Sequence, residues 1–500
     1  MADLVRIDLK PLGKHLEVKR GTPLQDVLFV YGVEFPCGGR GRCRSCRVKV
    51  LEGDLAVTAE QRGILTDAEI AEGWRLACRS RAETDLTLEI AQWETAILAD
   101  QTAFRFTPRQ GLGIAVDLGT TTLVAQLLDL ETGHVLGVRT SLNPQVAFGS
   151  DVMSRVQMGM EPEGLAKLRD TIRRGIGALI AKLLGGAGSR GAALTDIVIC
   201  GNTVMHHLFC GIDPEPLSHF PFETADDGLK VLRASDAGWH LEGDPLVRFL
   251  PCLGGFVGSD ILAGVIATEI DRSQDLMGLI DLGTNGEILF GNRDRIVCAS
   301  TAAGPAFEGG RISMGMRAAT GAITEVELAD GELHCRVLGH TAPRGLCGSG
   351  LVDAVAAGLE LKRIRAGGRF ADGSKRWMLS PPVALTQSDI RELQLAKAAI
   401  AAGIRIVLRT WGATPADVKK VYLAGAFGNY INRTSARRIG LIDFPDEQLE
   451  PAGNTALLGA KMALFEDGEF ASIRARTRHI SLSEDPEFED TYVGEMAFPE

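Results

Sequence analysis

Apolar and polar residues alternate along Val5-Arg6-Ile7-Asp8-Leu9 and again along Lys14-His15-Leu16-Glu17-Val18. A period of two puts every second side chain on one face, so the pair predicts a β-hairpin with one buried side. Gly21-Thr22-Pro23-Leu24 then predicts a short helix, with Thr22 as its cap and Pro23 at its first position. Residues 47–51 and 84–90 read as further strands, and Arg75-Leu76-Ala77-Cys78 lies between them. Beyond residue 112 the pattern changes. Gly113-Ile114-Ala115-Val116 and Leu123-Val124-Ala125-Gln126-Leu127-Leu128 are nearly continuous apolar runs, as in strands covered on both faces. Asp117-Leu118-Gly119-Thr120-Thr121-Thr122 joins them. The same design returns where Asp281-Leu282-Gly283-Thr284-Asn285-Gly286-Glu287 joins Gly278-Leu279-Ile280 to Ile288-Leu289-Phe290. Residues 165–184 and 393–408 carry apolar side chains at three- and four-residue steps and predict core-facing helices, the second opening after Thr386-Gln387-Ser388-Asp389.

At 500 residues the chain is long enough for about three domains. A hydrophobic content of 45% fits a globular protein, and no run of about twenty apolar residues is present to span a bilayer. The net charge of −11 argues against nucleic acid as a partner. Residues 1–93 carry 14 Lys/Arg against 14 Asp/Glu, so the acidity belongs to the rest of the chain. The opening Met1-Ala2-Asp3-Leu4-Val5-Arg6 lacks the apolar core of a secretory signal, and a cytoplasmic protein with reduced cysteines is expected. The pattern divides the chain into residues 1–93, a linker over 94–111, a body over 112–480 split near 275/276, and an acidic tail over 481–500 lying loosely on the surface.

Cys37-Gly38-Gly39-Arg40-Gly41-Arg42-Cys43-Arg44-Ser45-Cys46, with Cys78 after 31 intervening residues, supplies four thiolates. A 2Fe–2S cluster needs four, and the plant-type pattern has a similar short group with a distant fourth ligand. Gly38 and Gly39 suit a loop whose amides must turn toward sulfur. Zinc ribbons normally pair two Cys-x-x-Cys knuckles, and only one is present here. The extra residue in the first gap makes the pattern similar to ferredoxins of the adrenodoxin type, and residues 3–93 resemble a β-grasp ferredoxin domain. Arg40, Arg42, Arg44 and Arg47 bracket the ligands, either docking an acidic electron donor, raising the cluster potential, or simply balancing the charge of the cluster in a solvated loop. Cys200, Cys210, Cys252, Cys298, Cys335 and Cys347 lack ligand spacing and read as small buried residues.

The two Asp-Leu-Gly-Thr hairpins, 164 residues apart, indicate an internal duplication. Glycine turns let backbone amides approach phosphate oxygens, and threonine hydroxyls add donors. This assigns Gly119, Thr120, Thr121, Thr122, Gly283, Thr284 and Asn285 to phosphate. Asp117 and Asp281, at the ends of the first strands, can hold Mg²⁺ through water or position an attacking water. Glu287 either joins them or faces solvent. The hairpins resemble the two phosphate loops of the acetate and sugar kinase, Hsp70 and actin superfamily, which implies two RNase H-like α/β lobes with ATP in the cleft. Val421-Tyr422-Leu423-Ala424-Gly425-Ala426-Phe427-Gly428-Asn429 stands where that superfamily keeps its adenosine loop, which implies an adenosine side formed by Gly425, Gly428 and Asn429.

The expected fold class is thus an α+β multidomain chain, a β-grasp 2Fe–2S domain followed by a two-lobed actin-like ATPase. Nearly the whole chain resembles the reductive activators of corrinoid-dependent methyltransferases. The resemblance also rests on Ile199-Cys200-Gly201-Asn202-Thr203-Val204-Met205-His206-His207, on residues 253–260 and 303–309, and on residues 345–353. It implies that Cys37, Cys43, Cys46 and Cys78 carry one electron to the Co(II) corrinoid of a partner protein, restoring Co(I), with MgATP driving the transfer. It implies as well an electron donor, either a reduced ferredoxin or a flavoprotein, and leaves a homodimer open. A plant-type centre sits near ~−400 mV, and each ~100 mV of uphill gap costs roughly 2.3 kcal/mol per electron. Two other classes fit some of the same residues: an ATP-driven donor to a 2-hydroxyacyl-CoA dehydratase type of enzyme, and a redox-sensing small-molecule kinase. His206 and His207 are expected to pack rather than ligate, and Ser300, Thr301 and Glu308 are candidates for a partner-facing loop.

Overall fold

The chain divides into two compact units, Met1–Ala267 with Thr455–Ile473, and Thr268–Asn454 with Arg474–Glu500. The structure, a computed structural model, describes residues 3–10, 14–28, 33, 46–89, 104, 106–149, 151–186, 192–283, 285–316, 321–329, 331–337, 342–428, 431–465 and 469–500.

Within the first unit, the alternating segments form a five-stranded sheet in the order Lys14–Lys19, Leu4–Lys10, Leu86–Glu89, Arg47–Glu52, Trp74–Leu76. Leu4–Lys10 is antiparallel to its hairpin partner and parallel to Leu86–Glu89, the mixed order of a β-grasp. Val5, Ile7, Leu9, Val48 and Leu88 share one buried core. The first helix starts at Leu24, later than the capping pattern predicts. Thr22–Pro23 is instead a two-residue strand against Arg81–Ala82, and the Thr22 hydroxyl donates to Lys19 O at 2.6 Å. A pairing partner some sixty residues away outweighs a local capping preference worth about 1 kcal/mol.

The remainder of this unit is a six-stranded sheet. Val135–Leu142, Thr122–Asp129 and Leu112–Leu118 form an antiparallel meander, and Leu194–Gly201 and Leu246–Phe249 continue it in parallel. The helix Pro162–Gly186 covers one side through Leu168, Ile172, Ile176 and Ile180. Residues 455–473 join this unit, although the sequence pattern assigns them to the second lobe. Ala456 O receives the Cys200 thiol at 3.3 Å, and Ala463 O receives Arg248 Nη2 at 3.1 Å. Of the linker expected over 94–111, residues 94–103 and 105 lie outside the described residues, but Phe104 and Phe106 pack on Phe465 at 5.5 and 4.6 Å between ring centroids.

The second unit repeats the topology. Leu276–Leu282, Gly286–Gly291 and Ile296–Thr301 form the meander, with Val418–Ala424 and Leu449–Gly453 continuing it in parallel beside Leu276–Leu282. The helix Gln387–Trp411 begins at a Thr386–Asp389 capping box and buries Ile390, Leu393, Ile400 and Ile404. Among the described residues, no helix is long and apolar enough to cross a membrane.

The acidic tail does not lie loosely on the surface. Its helix Phe488–Gly494 packs on Gln387–Trp411, and Phe498 is 2% exposed. Its acids face cations of that helix: Asp485 pairs with Arg409 at 2.6 Å, and Glu495 lies 3.6 Å from Lys397. Lys397 is buried and also donates to Ala497 O at 3.0 Å and Gly440 O at 3.3 Å. Removing one member of a buried ion pair typically costs about 3–5 kcal/mol, because the other is left uncompensated. Lys397→Ala is therefore expected to lower the stability of this unit by roughly that much, read as an earlier midpoint in urea denaturation.

Candidate functional site

Cys37 and Cys43 lie outside the described residues, as do Thr284 and Asn429. The other two thiols are placed. Cys46 precedes the strand Arg47–Glu52 and is buried in the β-grasp core, while Cys78 sits on the 3-10 turn Ala77–Arg79. The Ala77 amide donates to Cys46 O at 2.8 Å, which ties the two segments together. The sulfurs stand 3.2 Å apart and form no disulfide. Two thiolates on one tetrahedral metal at about 2.3 Å each would stand about 3.8 Å apart. The pair would serve as two ligands of one iron if the sulfurs opened by about 0.6 Å. Arg47 is buried, paired with Glu69 and 5.1 Å over the Trp74 ring. That packing removes it from the four arginines considered for donor docking. Arg40, Arg42 and Arg44 lie outside the described residues.

The first glycine–threonine turn joins Leu112–Leu118 to Thr122–Asp129. Its Gly119 amide bonds Thr122 O at 3.0 Å, and a Cβ at Gly119 would stand 2.7 Å from that oxygen, so only glycine closes the turn. Asn143 braces it from the end of the meander, donating Nδ2–H to Gly119 O at 2.9 Å and its amide to Thr121 O at 2.7 Å. Asp117 is half-buried and aligns with Cys200 on the adjacent parallel strand. Burial raises the Cys200 thiol well above its ordinary pKa, with the charges of Asp117 and Asp260 adding to it. Asp260, in the first turn of the helix Ser259–Thr268, is thus a second carboxylate near Cys200.

The second turn is one residue shorter, with the Gly283 amide bonding Asn285 O at 3.0 Å. Asp281 and Glu287 face each other in antiparallel register. Directly opposed residues share a face of the sheet, so these carboxylates are neighbours, both half-buried. Gly425 follows the parallel strand Val418–Ala424 in the left-handed region at φ +80°, and a Cβ there would collide with Asp281 Oδ1. Gly428 ends that short turn, and Phe427 stacks on Phe307 with centroids 4.6 Å apart.

Other candidates fall elsewhere. Ser300 and Thr301 belong to the strand Ile296–Thr301, with Thr301 buried, so they form no loop; Glu308 is exposed on a 3-10 turn. His206 and His207 are fully buried on the helix Thr203–Cys210. His206 Nε2 meets Gly228 O at 3.1 Å, and His207 Nδ1 meets Thr203 O at 2.9 Å, which is a packing role. Burial, with the neighbouring His207, holds His206 down at about 4, and burial lowers His207 as well. An unfolded histidine titrates near 6.5, so between about 6.5 and 4 the unfolded chain binds more protons than the folded one. The stability these residues contribute is present at neutral pH and lost as pH falls through that window. Urea denaturation of the full chain at pH 7 and pH 5 is expected to show an earlier first-unit transition at pH 5, with the drop reduced in His206→Gln. The scattered cysteines that are described are all free and buried or half-buried.

Asn143 and Asn202, which bond to the first turn, and Asp260, near Cys200, were not singled out by residue patterns alone. Asn143 had a local signal, an Asn-Pro step ending an apolar strand. Asn202 had its place after an apolar strand, within a stretch that carries the family resemblance.

A β-grasp with two clustered thiols, joined to a duplicated meander with glycine–threonine turns, defines an iron–sulfur protein fused to an ATPase of the actin-like class. Residues 7–83 match the 2Fe-2S iron-sulfur cluster binding domain, 112–273 the RACo middle region, and 275–500 the C-terminal ASKHA domain of RACo. The corrinoid activation enzyme RamQ of Eubacterium limosum is 37% identical over 417 residues, covering 77% of this chain and 70% of that one. The [Co(II) methylated amine-specific corrinoid protein] reductase of Methanosarcina barkeri is 25% identical, with 77% of each chain covered. The solved structure of a reductive activator for corrinoid, iron-sulfur protein aligns over 99% of this chain and 98% of its own, at 28% identity and a TM-score of 0.66. The chain belongs to the RACo family of corrinoid-activating proteins.

Proposed function

We propose that this chain is an ATP-dependent reductive activator, passing one electron at a time to the Co(II) corrinoid of a methyltransferase system and restoring Co(I). The observation that carries this reading is the union, in one chain, of a 2Fe–2S domain with both RACo-type regions. When bound, the cluster supplies one-electron redox chemistry, and MgATP supplies the free energy for an uphill transfer.

Cys37, Cys43, Cys46 and Cys78 would hold the cluster, and it would supply one-electron transfer there. Gly119, Thr120, Thr121 and Thr122, and likewise Gly283, Thr284 and Asn285, are assigned to the nucleotide phosphates. Asp117 is assigned to Mg²⁺ or the attacking water, and so are Asp281 and Glu287, whose shared sheet face supports the pairing. Gly425, Gly428 and Asn429 are assigned to the adenosine side. The electron donor is a reduced ferredoxin or flavoprotein, the site of action is the cytoplasm, and a homodimer stays open as the working form. The functional divisions are residues 1–93, 94–111 and 112–500, the last now including the docked tail.

The test is anaerobic absorbance of a Co(II) corrinoid protein from the same organism, mixed with this protein in reduced form, with and without MgATP. Growth of the Co(I) band only with MgATP is the expected result. No growth with any corrinoid protein of that organism, the cluster being intact and reduced, overturns the reading.

A further inference from the structure

Asn202 stands where the second strand bordering the first phosphate turn ends. It caps the helix Thr203–Cys210, its Oδ1 accepting the Met205 amide at 3.0 Å. That bond fixes which end of the side-chain amide is oxygen, so the nitrogen must be a donor on the other side. Nδ2 reaches Thr120 Oγ1 at 2.9 Å. The Thr120 hydroxyl is therefore an acceptor toward Asn202. A hydroxyl has one hydrogen, and among the described residues no acceptor takes it.

The backbone at Asn202 is held from several directions. Ser259 Oγ accepts the Gly201 amide and donates to Gly201 O, both at 3.0 Å, and Thr203 Oγ1 donates to Gly254 O at 2.8 Å. A Cβ on Gly258 would collide with Asn202 Cα, so this crossing closes only around glycine. On the other side, Gly119 O and Thr121 O are both occupied by Asn143. Turn and amide donor are thus each fixed independently before any ligand arrives.

We propose that Asn202 is a positioning residue that makes Thr120 a dedicated hydroxyl donor to a phosphate oxygen of the nucleotide. The proposal rests on the assignment of residues 119–122 to phosphate. It makes a distinction that helix capping alone does not. Aspartate caps a helix as well as asparagine does, but an ionised aspartate only accepts. In Asn202→Asp the cap survives, the Thr120 hydrogen turns inward to the new carboxylate, and a negative charge is added beside the turn.

The experiment measures MgATP affinity of the full cluster-loaded chain by calorimetry, with thermal midpoint as control. The forms compared are wild type, Asn202→Asp, Asn202→Ser, Thr120→Ala and the Asn202→Asp/Thr120→Ala double variant. A hydrogen bond to a charged group contributes about 1.5–3 kcal/mol, so Asn202→Asp and Thr120→Ala should each weaken binding by about ten- to a hundredfold. Their thermal midpoints should be unchanged, and the double variant should bind little worse than Asn202→Asp, which has already lost the hydroxyl donor and carries the added charge. Asn202→Ser, which caps the helix with a side chain too short to reach Thr120, should weaken binding less than Asn202→Asp; it also carries the test if the aspartate variant fails to fold. Wild-type affinity in both residue-202 variants, alongside a weakened Thr120→Ala, overturns the role of Asn202 and leaves the phosphate assignment standing. Fully additive losses overturn it in the same way. Wild-type affinity in Thr120→Ala overturns the phosphate assignment beneath it.

Discussion

Cys78→Ser is expected to abolish cobalt reduction while leaving MgATP binding intact. Cys78 is held on a short turn whose preceding amide bonds to Cys46 O, and its sulfur lies 3.2 Å from that of Cys46. Changes merely beside a metal ligand commonly cost ten- to a hundredfold, so loss of a ligand should cost at least about a hundredfold in the rate of Co(I) formation. Iron content and visible absorbance should fall together with that rate. Nucleotide binding should not change, because the two hairpins belong to other parts of the chain. Wild-type rates of Co(I) formation in a Cys78→Ser protein with no iron would remove the cluster from the electron path.

The second large effect is expected at Gly425. Its φ of +80° costs a non-glycine residue about 1–2 kcal/mol. The added methyl would also press on Asp281 Oδ1 and stand 3.1 Å from Leu282 O. The backbone at Gly425 follows a strand in parallel register with the one that carries Asp281, so the carboxylate has to yield. A displacement near 1 Å in a catalytic group can cost about a hundredfold in turnover. Gly425→Ala should therefore lower ATP turnover by about that factor, and Asp281→Asn should do likewise without the strain. Phosphate release in the presence of the corrinoid partner measures both. If Gly425→Ala turns over normally while Asp281→Asn does not, the side chain tolerates the shift. If both are normal, Asp281 has no part in hydrolysis.

The sequence foretold those elements whose pattern is local. Alternation at 5–9 and 14–18 became a hairpin, and the apolar runs around Asp117 and Asp281 became two meanders of the same topology. What it did not foretell depends on distant partners. Thr22–Pro23 pairs with Arg81–Ala82, and Arg47 is taken up by Glu69 and Trp74. The tail reads as solvent-exposed because it is acidic, yet its acids meet Arg409, Lys397 and Arg405, and Phe498 provides the anchor. Lys397 itself sits in an apolar helix pattern that gives no hint of carbonyls waiting for it. Within the site, the paired aspartates were visible as motifs. The donor at Asn202 was not, since its importance lies in which atom faces Thr120.

The closeness of Cys46 and Cys78 also governs how the protein must be handled. Their sulfurs need to approach by only about 1.2 Å to reach the length of a disulfide bond. Without iron, dissolved oxygen can take two electrons and two protons from this pair, leaving a covalent bridge where two ligands should be. Air-exposed apoprotein is then locked in a form that iron and sulfide alone cannot refill, and reconstitution has to begin with a thiol reductant under an inert atmosphere.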